Sequence, residues 1–438
     1  MGLAFAAGRG HTGAPLNART GSRNQPRILQ VSHDMGVLYA SQTGMTEPLG
    51  QSQVVPYLVG LARAGWRIDV VTFEPEDAAA GAIAQVREQL GDHGIGYTWM
   101  PRSRAHDVWT KTRESARALA QLLAAAMSRR PRLVHARATL AATVAHLAAR
   151  LVPGARLLFD CRGLVADEYV DFGHWQRGSF KYRMMKQAEA NLFRRADAIV
   201  VLTDRMRRWL RDESRLAPAS TPIEVIPCCV DLERFAVDDA TRAAARAQLG
   251  AGDRFVLAYA GNLNAWYCDE QMAELFAAIR RRVPALFAVY SRSPSEKLRQ
   301  ALARRGVADG DVQIASALPS QIAARLSAGD AAVSFAEPRF SKIASSPVKV
   351  AEYLALGMPV AVNRGVGDQD AMMAAHPEIL VDAGLMGERE IDAAAERLVA
   401  AARVSGVHAQ AAAFARAQFD LDDVGVARYR LLYERIAG

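Results

Sequence analysis

One segment of the sequence, residues 345–360, combines residue types that bind a phosphate with residue types that bind a sugar. Ser346 is a typical N-cap residue and Pro347 suits the first helical position, so a helix is predicted to begin there. The free N–H groups at the start of a helix favour anions such as a diphosphate, and Lys349 adds a positive charge beside them. Glu352 follows one turn later on the same face, where its carboxylate can accept hydrogen bonds from both hydroxyls of a ribose.

The same residues also fit a purely structural role. A capped helix at the protein surface would carry Lys349 and Glu352 as an i, i+3 ion pair that stabilises the helix by about 0.2–0.5 kcal/mol. Composition alone does not decide between a donor-binding helix and such a surface helix.

Motifs typical of several other enzyme classes do not occur in a fitting context. No G-x-G-x-x-G opens a predicted helix and no G-x-x-x-x-G-K-[ST] is present, which argues against dinucleotide-binding and P-loop proteins. Neither H-E-x-x-H nor C-x-x-C suggests a metal site, and no G-x-S-x-G suggests an α/β-hydrolase. We therefore predict neither a metal nor a separate cofactor.

Short apolar runs alternate with helical segments along almost the whole chain, which indicates an α/β protein with parallel sheets. Between the first two predicted strands, a polar loop extends to Gly50 and is followed by a helix at 53–64. Strands are predicted at 28–31, 67–73, 133–135, 156–159, 198–202, 223–226, 254–260, 287–290, 312–314, 331–335 and 359–363.

The length of 438 residues exceeds one ordinary hydrophobic core, so two domains are expected. The first residues are rich in Gly, Arg, Ala, Asn and Thr without periodicity, which is typical of a disordered leader. The predicted divisions are a leader at 1–26, a first Rossmann-like domain at 27–205, a linker at 206–222, a second Rossmann-like domain at 223–418 and a C-terminal helical segment at 419–438.

Composition indicates a soluble globular protein, with 50% hydrophobic and 23% charged residues. No apolar run approaches the roughly 20 residues that cross a bilayer, and the run Leu3 to Ala7 is too short for a secretory signal. The four cysteines, Cys161, Cys228, Cys229 and Cys268, lack metal-ligand spacing and are expected to be reduced thiols. A cytoplasmic location is therefore expected.

The net charge is +8, and the basic residues are densest between Arg177 and Arg215. This stretch fits either a solvated helical face or peripheral contact with anionic lipid head groups at the inner face of a membrane, where a lipid-linked acceptor would lie. Charge alone would also suit a nucleic-acid-binding protein. We expect no nucleic-acid partner, because the basic residues are interrupted by acidic ones.

The segment 345–360 resembles the donor-binding helix of glycosyltransferase family 4, whose members share the pattern P-x-K-x-x-E-x-x-A-x-G-x-P-V. Other segments resemble further parts of the same family in the same order, from about residue 27 to the C-terminus. They are the glycine loop E-P-L-G-Q-S-Q at 47–53, the beginning of the second domain at 225–235, the strand and loop A-G-N-L at 260–263, and the C-terminal helices from Phe419 onward.

This resemblance implies the GT-B architecture, in which two Rossmann-like domains face a cleft and the last helix packs back on the first domain. It implies transfer of a glycosyl group from a nucleoside diphosphate sugar to an acceptor hydroxyl, with retention of configuration and without a metal. UDP or GDP is the expected nucleotide. The acceptor would be a glycan or a lipid-linked molecule in the synthesis of a surface glycan, polysaccharide or glycolipid.

The resemblance also assigns roles to residues. Lys349 would stabilise the leaving diphosphate. Arg162, at a strand end that faces the cleft by resemblance, would contact the donor phosphate or an anionic acceptor. Alternatively, Arg162 forms a structural ion pair with Asp167 and Glu168. Lys349 and Arg162 are thus the predicted catalytic residues, and the predicted donor-binding residues are Gly50, Gln51, Asn262, Arg292, Ser346, Lys349 and Glu352.

The chain departs from the family pattern at two places. Ala344 occupies the position of the first of two family glutamates, and residues 264–268 read N-A-W-Y-C where many members have Lys-Gly. Lys349, Lys342 or Arg292 would compensate. The departure at Ala344 leaves open a non-catalytic nucleotide-sugar or glycan-binding protein, and the fold also leaves open a sugar-nucleotide epimerase.

Two further features stay open between a functional and a structural role. His135 ends a predicted strand and is either packed in the core or catalytic. The turn at 365–368 either lies beside the donor sugar or is only a tight loop.

Overall fold

The computed structural model describes residues 36–103, 108–263 and 267–437. The predicted leader at 1–26 and the predicted strand at 28–31 lie outside these residues. Both sheets described below belong to one unit of the chain.

Two parallel β-sheets organise the described residues. The first sheet contains β1 Gly36–Ser41, β2 Arg67–Pro75, β3 Gly96–Arg102, β4 Leu133–Arg137, β5 Arg156–Asp160, β6 Ala198–Val201 and β7 Ile223–Val225. The second contains β8 Phe255–Ala260, β9 Ala285–Tyr290, β10 Val312–Ala315, β11 Ala331–Ser334, β12 Val360–Val362 and β13 Leu380–Asp382.

The strand order is the doubly wound one in both sheets. It runs β3-β2-β1-β4-β5-β6-β7 in the first and β10-β9-β8-β11-β12-β13 in the second. In such sheets, ligands bind beyond the carboxyl ends of the strands, where the strand order reverses. That point lies between β1 and β4 in the first sheet and between β8 and β11 in the second. The predicted α/β class with two Rossmann-like domains is confirmed.

Helices connect the strands and cover the sheets. Those associated with the first sheet are α1 Pro48–Gln53, α2 Val55–Arg63, α3 Ala80–Gly91, α4 Val108–Arg129, α5 Thr139–Leu151, α6 Val165–Asp171, α7 Phe180–Arg195 and α8 Asp204–Arg208. The later helices are α9 Asp239–Gln248, α10 Asp269–Arg280, α11 Glu296–Arg304, α12 Ile322–Leu326, α13 Val348–Ala355, α14 Gln369–Ala375, α15 Glu388–Ala401, α16 Val407–Phe419 and α17 Ala427–Ala437. Within the described residues, none of the helices has the length and hydropathy needed to cross a membrane.

Short helical turns complete the chain at several junctions. Turns with 3-10 geometry lie at Leu232–Phe235, Asp309–Asp311 and Phe340–Ala344, and turns with π geometry lie at Trp209–Glu213 and Leu421–Val426. The turn at Phe340–Ala344 comes directly before the segment that leads into α13, so it is part of the connection that positions the predicted donor helix.

The strand β1 corrects the expectation of a polar loop up to Gly50. Its residues Val37, Leu38, Tyr39 and Ala40 are all buried, and the strand pairs with both β2 and β4 at the centre of the first sheet. The loop prediction was wrong because it assigns the strand before α1 to the apolar run at 28–31 and leaves the run at 36–41 in a loop. By composition, the run at 36–41 is an equally good candidate for a buried strand.

The strand β7 corrects the predicted start of the second domain. Ile223–Val225 pairs with β6 and is therefore the last strand of the first sheet. The second sheet begins only at β8, after α9. The assignment of this strand to the domain 223–418 was wrong, because apolar character alone does not tell which sheet a short strand joins. The other predicted boundaries stay a prediction.

The C-terminal segment packs against the first sheet. Tyr433 of α17 makes edge contacts with the rings of Trp66 and His135, at centroid distances of 5.1 Å and 5.8 Å. The turn before α17 lies on α2, where Val426 is buried in the same hydrophobic cluster as Leu58. The last helix therefore closes the core of the first domain although the chain has already completed the second.

Candidate functional site

Lys349 is buried at the start of α13, only 7% exposed. Its Nζ donates a hydrogen bond to the Tyr259 hydroxyl at 3.1 Å. The same atom lies 4.4 Å from the ring centroid of Tyr259 and 3.9 Å from that of Tyr267, within the range of cation–π attraction. The alternative of an exposed surface helix with a Lys–Glu ion pair is therefore wrong.

Burial changes the charge of Lys349. Removal from water lowers the pKa of its ammonium to about 7, and the carboxylate of Glu352 opposes that shift. A bound anion would raise the pKa of this lysine and so favour its protonated form, because a negative charge beside an ammonium stabilises it.

Gly261 makes room for this lysine at the end of β8. Its φ is +144°, a conformation that favours glycine, and a Cβ at this position would lie 2.8 Å from Lys349 Nζ. The hydroxyl of Tyr353 on α13 accepts a hydrogen bond from Ala260 N at 2.7 Å. The end of β8 and the helix α13 are thus locked together around the lysine.

Glu352 lies half-buried on the same helix. Burial raises the pKa of its carboxyl to about 7, while Lys349 and Arg234 act in the opposite direction. The sequence analysis did not single out Arg234, whose guanidinium donates to the carbonyl of Pro319 at 3.1 Å. The role of Glu352 as a ribose ligand stays a prediction.

Ser346 does not cap the helix. The helix begins at Val348 with Pro347 in the cap position, and no side chain caps its N–H groups. The Ser346 hydroxyl instead accepts a hydrogen bond from Cys228 N at 3.2 Å. The capping prediction was wrong because a partner that is distant in sequence takes the hydroxyl, and the first turn of α13 keeps N–H groups without a side-chain acceptor.

Arg162 follows β5 and is largely buried, with 11% of its side chain exposed. Its guanidinium lies 3.4 Å from Asp160 Oδ1 and donates to Cys228 Sγ at 3.4 Å. Asp167 is held by Lys186 instead, at 2.8 Å. The alternative of an ion pair with Asp167 and Glu168 is therefore wrong: the partner of Arg162 lies at the end of the preceding strand.

Asp160 is the centre of a buried polar cluster. Burial acts against its ionised form, but Arg162, His135 and Arg137 together hold the pKa of its carboxyl well below the usual range. Arg137 Nη1 and His135 Nε2 lie 3.4 Å and 3.5 Å from Asp160 Oδ2. The carboxylate is therefore a counter-ion shared by two guanidiniums at the cleft end of the first sheet.

His135 belongs to this cluster and is packed rather than exposed. Its Nδ1 lies 2.5 Å from the Tyr433 hydroxyl, and burial lowers the pKa of its imidazole. These contacts favour the structural interpretation of His135.

Gly50 and Gln51 contact the loop that follows β1 and stabilise its conformation. A Cβ at Gly50 would lie 2.0 Å from the carbonyl oxygen of Gly44, so only glycine fits at this close approach. Gln51 Nε2 donates to the carbonyl of Met45 at 2.8 Å. In this structure the Gln51 side chain stabilises the loop, and the donor contacts predicted for both residues stay untested.

Glu74 anchors the same loop and was missed by the sequence analysis. This buried residue of β2 accepts hydrogen bonds from Met45 N at 2.6 Å, from Thr46 N at 3.1 Å and from the Tyr97 hydroxyl at 2.6 Å. A carboxylate within the apolar run of β2 is a signal in the sequence, because buried charges need partners.

Asn262 and Arg292 are exposed at the ends of β8 and β9. The Asn262 carbonyl accepts from the Tyr259 hydroxyl at 2.6 Å, and its side-chain oxygen lies 3.4 Å from Ser293 Oγ. The two strand ends are thus adjacent, and the predicted contacts of Asn262 and Arg292 with the donor stay predictions.

Glu168 and Lys342 face each other from the two halves of the molecule. Burial raises the pKa of the Glu168 carboxyl to about 7, opposed by Lys342. Burial lowers the pKa of Lys342, opposed in turn by Glu168. The charge of Glu168 also acts on Tyr267, so this carboxyl lies on the side of the cleft that faces the Lys349 site.

The turn at 365–368 makes a contact between the two halves. The Asp368 carboxylate accepts hydrogen bonds from Asp204 N and Arg205 N at 2.7 Å and 2.9 Å, at the start of α8. The Thr203 hydroxyl donates to the carbonyl of Ile343 at 2.5 Å. These bonds favour a structural role for the turn over contact with the sugar.

Ala344, at the position of the absent family glutamate, is 2% exposed. It packs together with Ile343 in the hydrophobic cluster of the first sheet. In this arrangement its side chain points into packing between the two halves rather than into open space.

Comparisons with known proteins agree with this geometry. Residues 51–234 match the family model described as Glycosyltransferase Family 4. No curated protein sequence matches the chain significantly. Among solved structures, the sucrose-phosphate synthase of Thermosynechococcus elongatus superposes with a TM-score of 0.68 at 16% identity, covering 92% of this chain and 99% of its own.

Two further structures share the arrangement. The Anabaena protein HepE in complex with UDP gives a TM-score of 0.67 at 15% identity, covering 91% of this chain and all of its own. WaaG, described as a glycosyltransferase involved in lipopolysaccharide biosynthesis, gives 0.63 at 14% identity, covering 91% and 99%. The chain has the GT-B fold of these proteins and resembles glycosyltransferase family 4.

Proposed function

We propose that the protein is a glycosyltransferase that moves a sugar from a nucleoside diphosphate donor to an acceptor hydroxyl. The observation that supports this most is the buried Lys349 at the uncapped start of α13, beside the end of β8. A lysine and free helix N–H groups at the carboxyl edge of a doubly wound sheet form a site suited to a diphosphate. Glu352, one turn further, suits the ribose.

The proposed reaction retains the configuration of the sugar and needs no metal. The bond between sugar C1 and the diphosphate oxygen breaks, and its electron pair stays on the diphosphate. The acceptor oxygen bonds to C1 on the same face, and its proton passes to an oxygen of the leaving diphosphate. Lys349 and the N–H groups of α13 stabilise the charge that develops there.

The first domain completes the site in this proposal. The glycine loop around Gly50 brings backbone close to the diphosphate, and Arg162 supplies a positive charge from the end of β5. Arg162 is already oriented by Asp160, so little side-chain entropy is lost when it meets an anion. The acceptor is a glycan or a lipid-linked molecule, and we propose a cytoplasmic location with peripheral membrane contact.

UDP is the first nucleotide to test. HepE has been solved with UDP, with UDP and glucose, and with UDP-glucose, and a trehalose-6-phosphate protein of E. coli with UDP-2-fluoro glucose. These proteins share the fold with this chain, and their ligands support UDP ahead of GDP.

UDP is expected to raise the melting temperature of the protein, because a ligand that binds only the folded state stabilises it. At a hundredfold excess over Kd the gain is about 2.7 kcal/mol. A thermal-shift series with UDP, GDP, ADP and dTDP checks this and ranks the bases. If none of the four shifted the melting temperature, the assignment of a donor site to α13 would be wrong.

The affinity for UDP is expected to fall as the pH rises above about 7. Lys349 has a pKa of about 7 in the free protein, and a bound diphosphate raises it. Binding therefore takes up a proton above pH 7, and the Kd increases by up to about tenfold per pH unit until the pKa of the complex is reached. Isothermal titration calorimetry between pH 6 and 9 measures the slope.

A Lys349→Arg variant is the control for this dependence. Its guanidinium stays charged throughout the range, while UDP and Glu352 titrate as they do in the original protein. We expect a shallower rise of the Kd above pH 7 in the variant, and the difference between the two slopes is the contribution of Lys349. Equal slopes in both proteins would show that Lys349 does not carry the proton.

A non-catalytic nucleotide-sugar or glycan-binding protein is the second candidate, and the buried Ala344 favours it. Such a protein would show the thermal shift without turnover, and a sugar-nucleotide epimerase would convert the donor sugar without an acceptor. Donor incubated with the protein, with and without a glycan acceptor mixture, separates the three when the products are analysed by mass spectrometry and NMR.

A further inference from the structure

The end of α6, the start of α7 and the segment between them expose several large apolar side chains. Phe180 is 75% exposed and Met184 57%, while Tyr169 and Phe172 are 41% and 42% exposed. We call residues 169–184 the docking segment. Apolar side chains that cluster in one short stretch of surface are typical of interaction sites rather than of ordinary solvated surface.

The docking segment is also basic. No Asp or Glu occurs from Phe172 to Ala188, whereas Arg177, Lys181 and Arg183 are present and exposed. Arg177 lies 3.6 Å from Asp167, so part of its charge is balanced. Lys181 and Arg183 form no ion pair within the described part of the chain. Arg183 Nε donates to the carbonyl of Gly178 at 2.7 Å, which leaves the positive charge unbalanced. The charge of both side chains is available to an external anion.

The first turns of α7 arrange these residues as an amphipathic surface. Phe180 and Met184 are four residues apart and lie on one side of the helix, with Lys181 and Arg183 beside them. The Ser179 hydroxyl accepts from Tyr182 N at 3.3 Å and fixes the start of the helix. Lys and Arg side chains beside exposed apolar ones can reach lipid head groups while the apolar groups enter the acyl boundary.

The docking segment borders the cleft. The Asp171 carboxylate accepts a hydrogen bond from Ser341 N at 3.2 Å, within the turn Phe340–Ala344 that precedes α13. Glu168, one turn earlier on α6, faces Lys342 inside the cleft. A surface that attached here would therefore lie beside the opening of the proposed site.

We propose that residues 169–184 dock the protein on an anionic lipid bilayer. Charge alone would also suit a soluble polyanion or an acidic protein, but these partners do not require Phe180 and Met184 to be exposed. A bilayer uses both features, because its head groups attract the cations and its acyl boundary accepts the apolar groups. The docking itself is independent of the proposed function; its consequence, that the acceptor is lipid-linked, rests on that function.

Co-sedimentation of the full chain with vesicles tests the docking. We expect binding to vesicles of equal parts phosphatidylglycerol and phosphatidylcholine, and little binding to phosphatidylcholine alone. A Lys181→Glu/Arg183→Glu variant should bind the anionic vesicles at least about tenfold more weakly. A Phe180→Ser/Met184→Ser variant should also bind more weakly, and its remaining binding should be more sensitive to salt.

Matched variants outside the docking segment serve as controls. Lys297→Glu/Arg299→Glu makes the same charge change with the same spacing on α11, and Leu385→Ser/Leu431→Ser removes two exposed apolar side chains elsewhere. Both should keep wild-type vesicle binding. Equal losses in control and docking-segment variants, or no binding to anionic vesicles, would overturn the proposal.

Two further outcomes separate this proposal from others. Binding to soluble polyphosphate or to an acidic protein but not to vesicles would overturn it in favour of a soluble partner. The UDP thermal shift should be unchanged in the docking-segment variants. Vesicle binding without any nucleotide shift would leave the docking intact and overturn the proposed transferase, so the two failures are distinguishable.

Discussion

A Lys349→Ala variant is expected to lower kcat/KM for glycosyl transfer by roughly a hundredfold to a thousandfold. Lys349 is the buried cation of the proposed diphosphate site, 3.1 Å from the Tyr259 hydroxyl and enclosed by two aromatic rings. Removal of one electrostatic donor that meets charge developing in the transition state costs about 2.7–4 kcal/mol. The rate at which the nucleoside diphosphate is released, during transfer to an acceptor or hydrolysis of the donor, measures the loss of kcat/KM.

The cost should appear mainly in the transition state. A Lys349→Ala variant that lost only affinity would raise KM and leave kcat unchanged, whereas loss of leaving-group stabilisation lowers kcat itself. Lys297→Ala removes the same side chain from an exposed position of α11 and should have no effect. A Lys349→Ala variant with unchanged kcat/KM would contradict the proposed role.

Because Lys349 is buried, the stability of the Lys349→Ala variant must be measured together with its activity. The Lys349 ammonium has a lowered pKa, so replacement by Ala removes a desolvation cost as well as aliphatic contacts. We therefore expect the variant to fold with near-normal stability at neutral pH. A large fall in melting temperature would mean that the lost activity reports unfolding, and Lys349→Met, which keeps the aliphatic length, would then be the informative variant.

Local patterns predicted much of the fold. The strands at 133–135, 156–159 and 198–202 were predicted from apolar runs and appear as β4, β5 and β6. The alternation of strands and helices predicted parallel sheets because a parallel pair needs a crossover connection. The position of Lys349 on the first turn of a helix followed from Pro347 and the periodicity after it.

Partners that are distant in sequence decided the rest. The hydroxyl of Ser346 could cap a helix or bond to Cys228, 118 residues earlier, and only the folded chain selects the second. The strand β7 could open the second sheet or close the first, since a three-residue strand with two apolar residues fits both. These choices depend on packing between elements, which periodicity along the chain does not encode.

The sequence analysis named candidate binding residues but missed the residues that contact and orient them. Lys349 and Arg162 were recognised by residue type and by resemblance. Glu74, Asp160 and Tyr267, which hold or surround the predicted residues, were not assigned such roles. A carboxylate at the end of a buried strand was the available signal for both Glu74 and Asp160, because such a group must find donors or cations.

An Asp160→Asn variant is expected to destabilise the protein by about 3–5 kcal/mol, the second large effect. The substitution keeps the shape of the side chain but leaves the buried guanidiniums of Arg137 and Arg162 without a counter-charge. The depressed pKa of Asp160 means that its contribution is fully present above the unfolded pKa of about 3.9 and is lost only as the pH falls below it. Urea denaturation at pH 7 therefore measures the whole effect.

Asp392→Asn is the matched control for this prediction. Asp392 also pairs with two arginines, Arg281 and Arg282, but its side chain is 44% exposed. An exposed pair contributes about 0–1 kcal/mol, so the control should unfold at almost the original urea concentration. If both variants lost the same small amount, the cluster around Asp160 would not depend on its charge. A large loss for Asp160→Asn alone would show that the fold depends on a buried counter-ion for Arg137 and Arg162, the second of which is the cation that the first domain contributes to the proposed site.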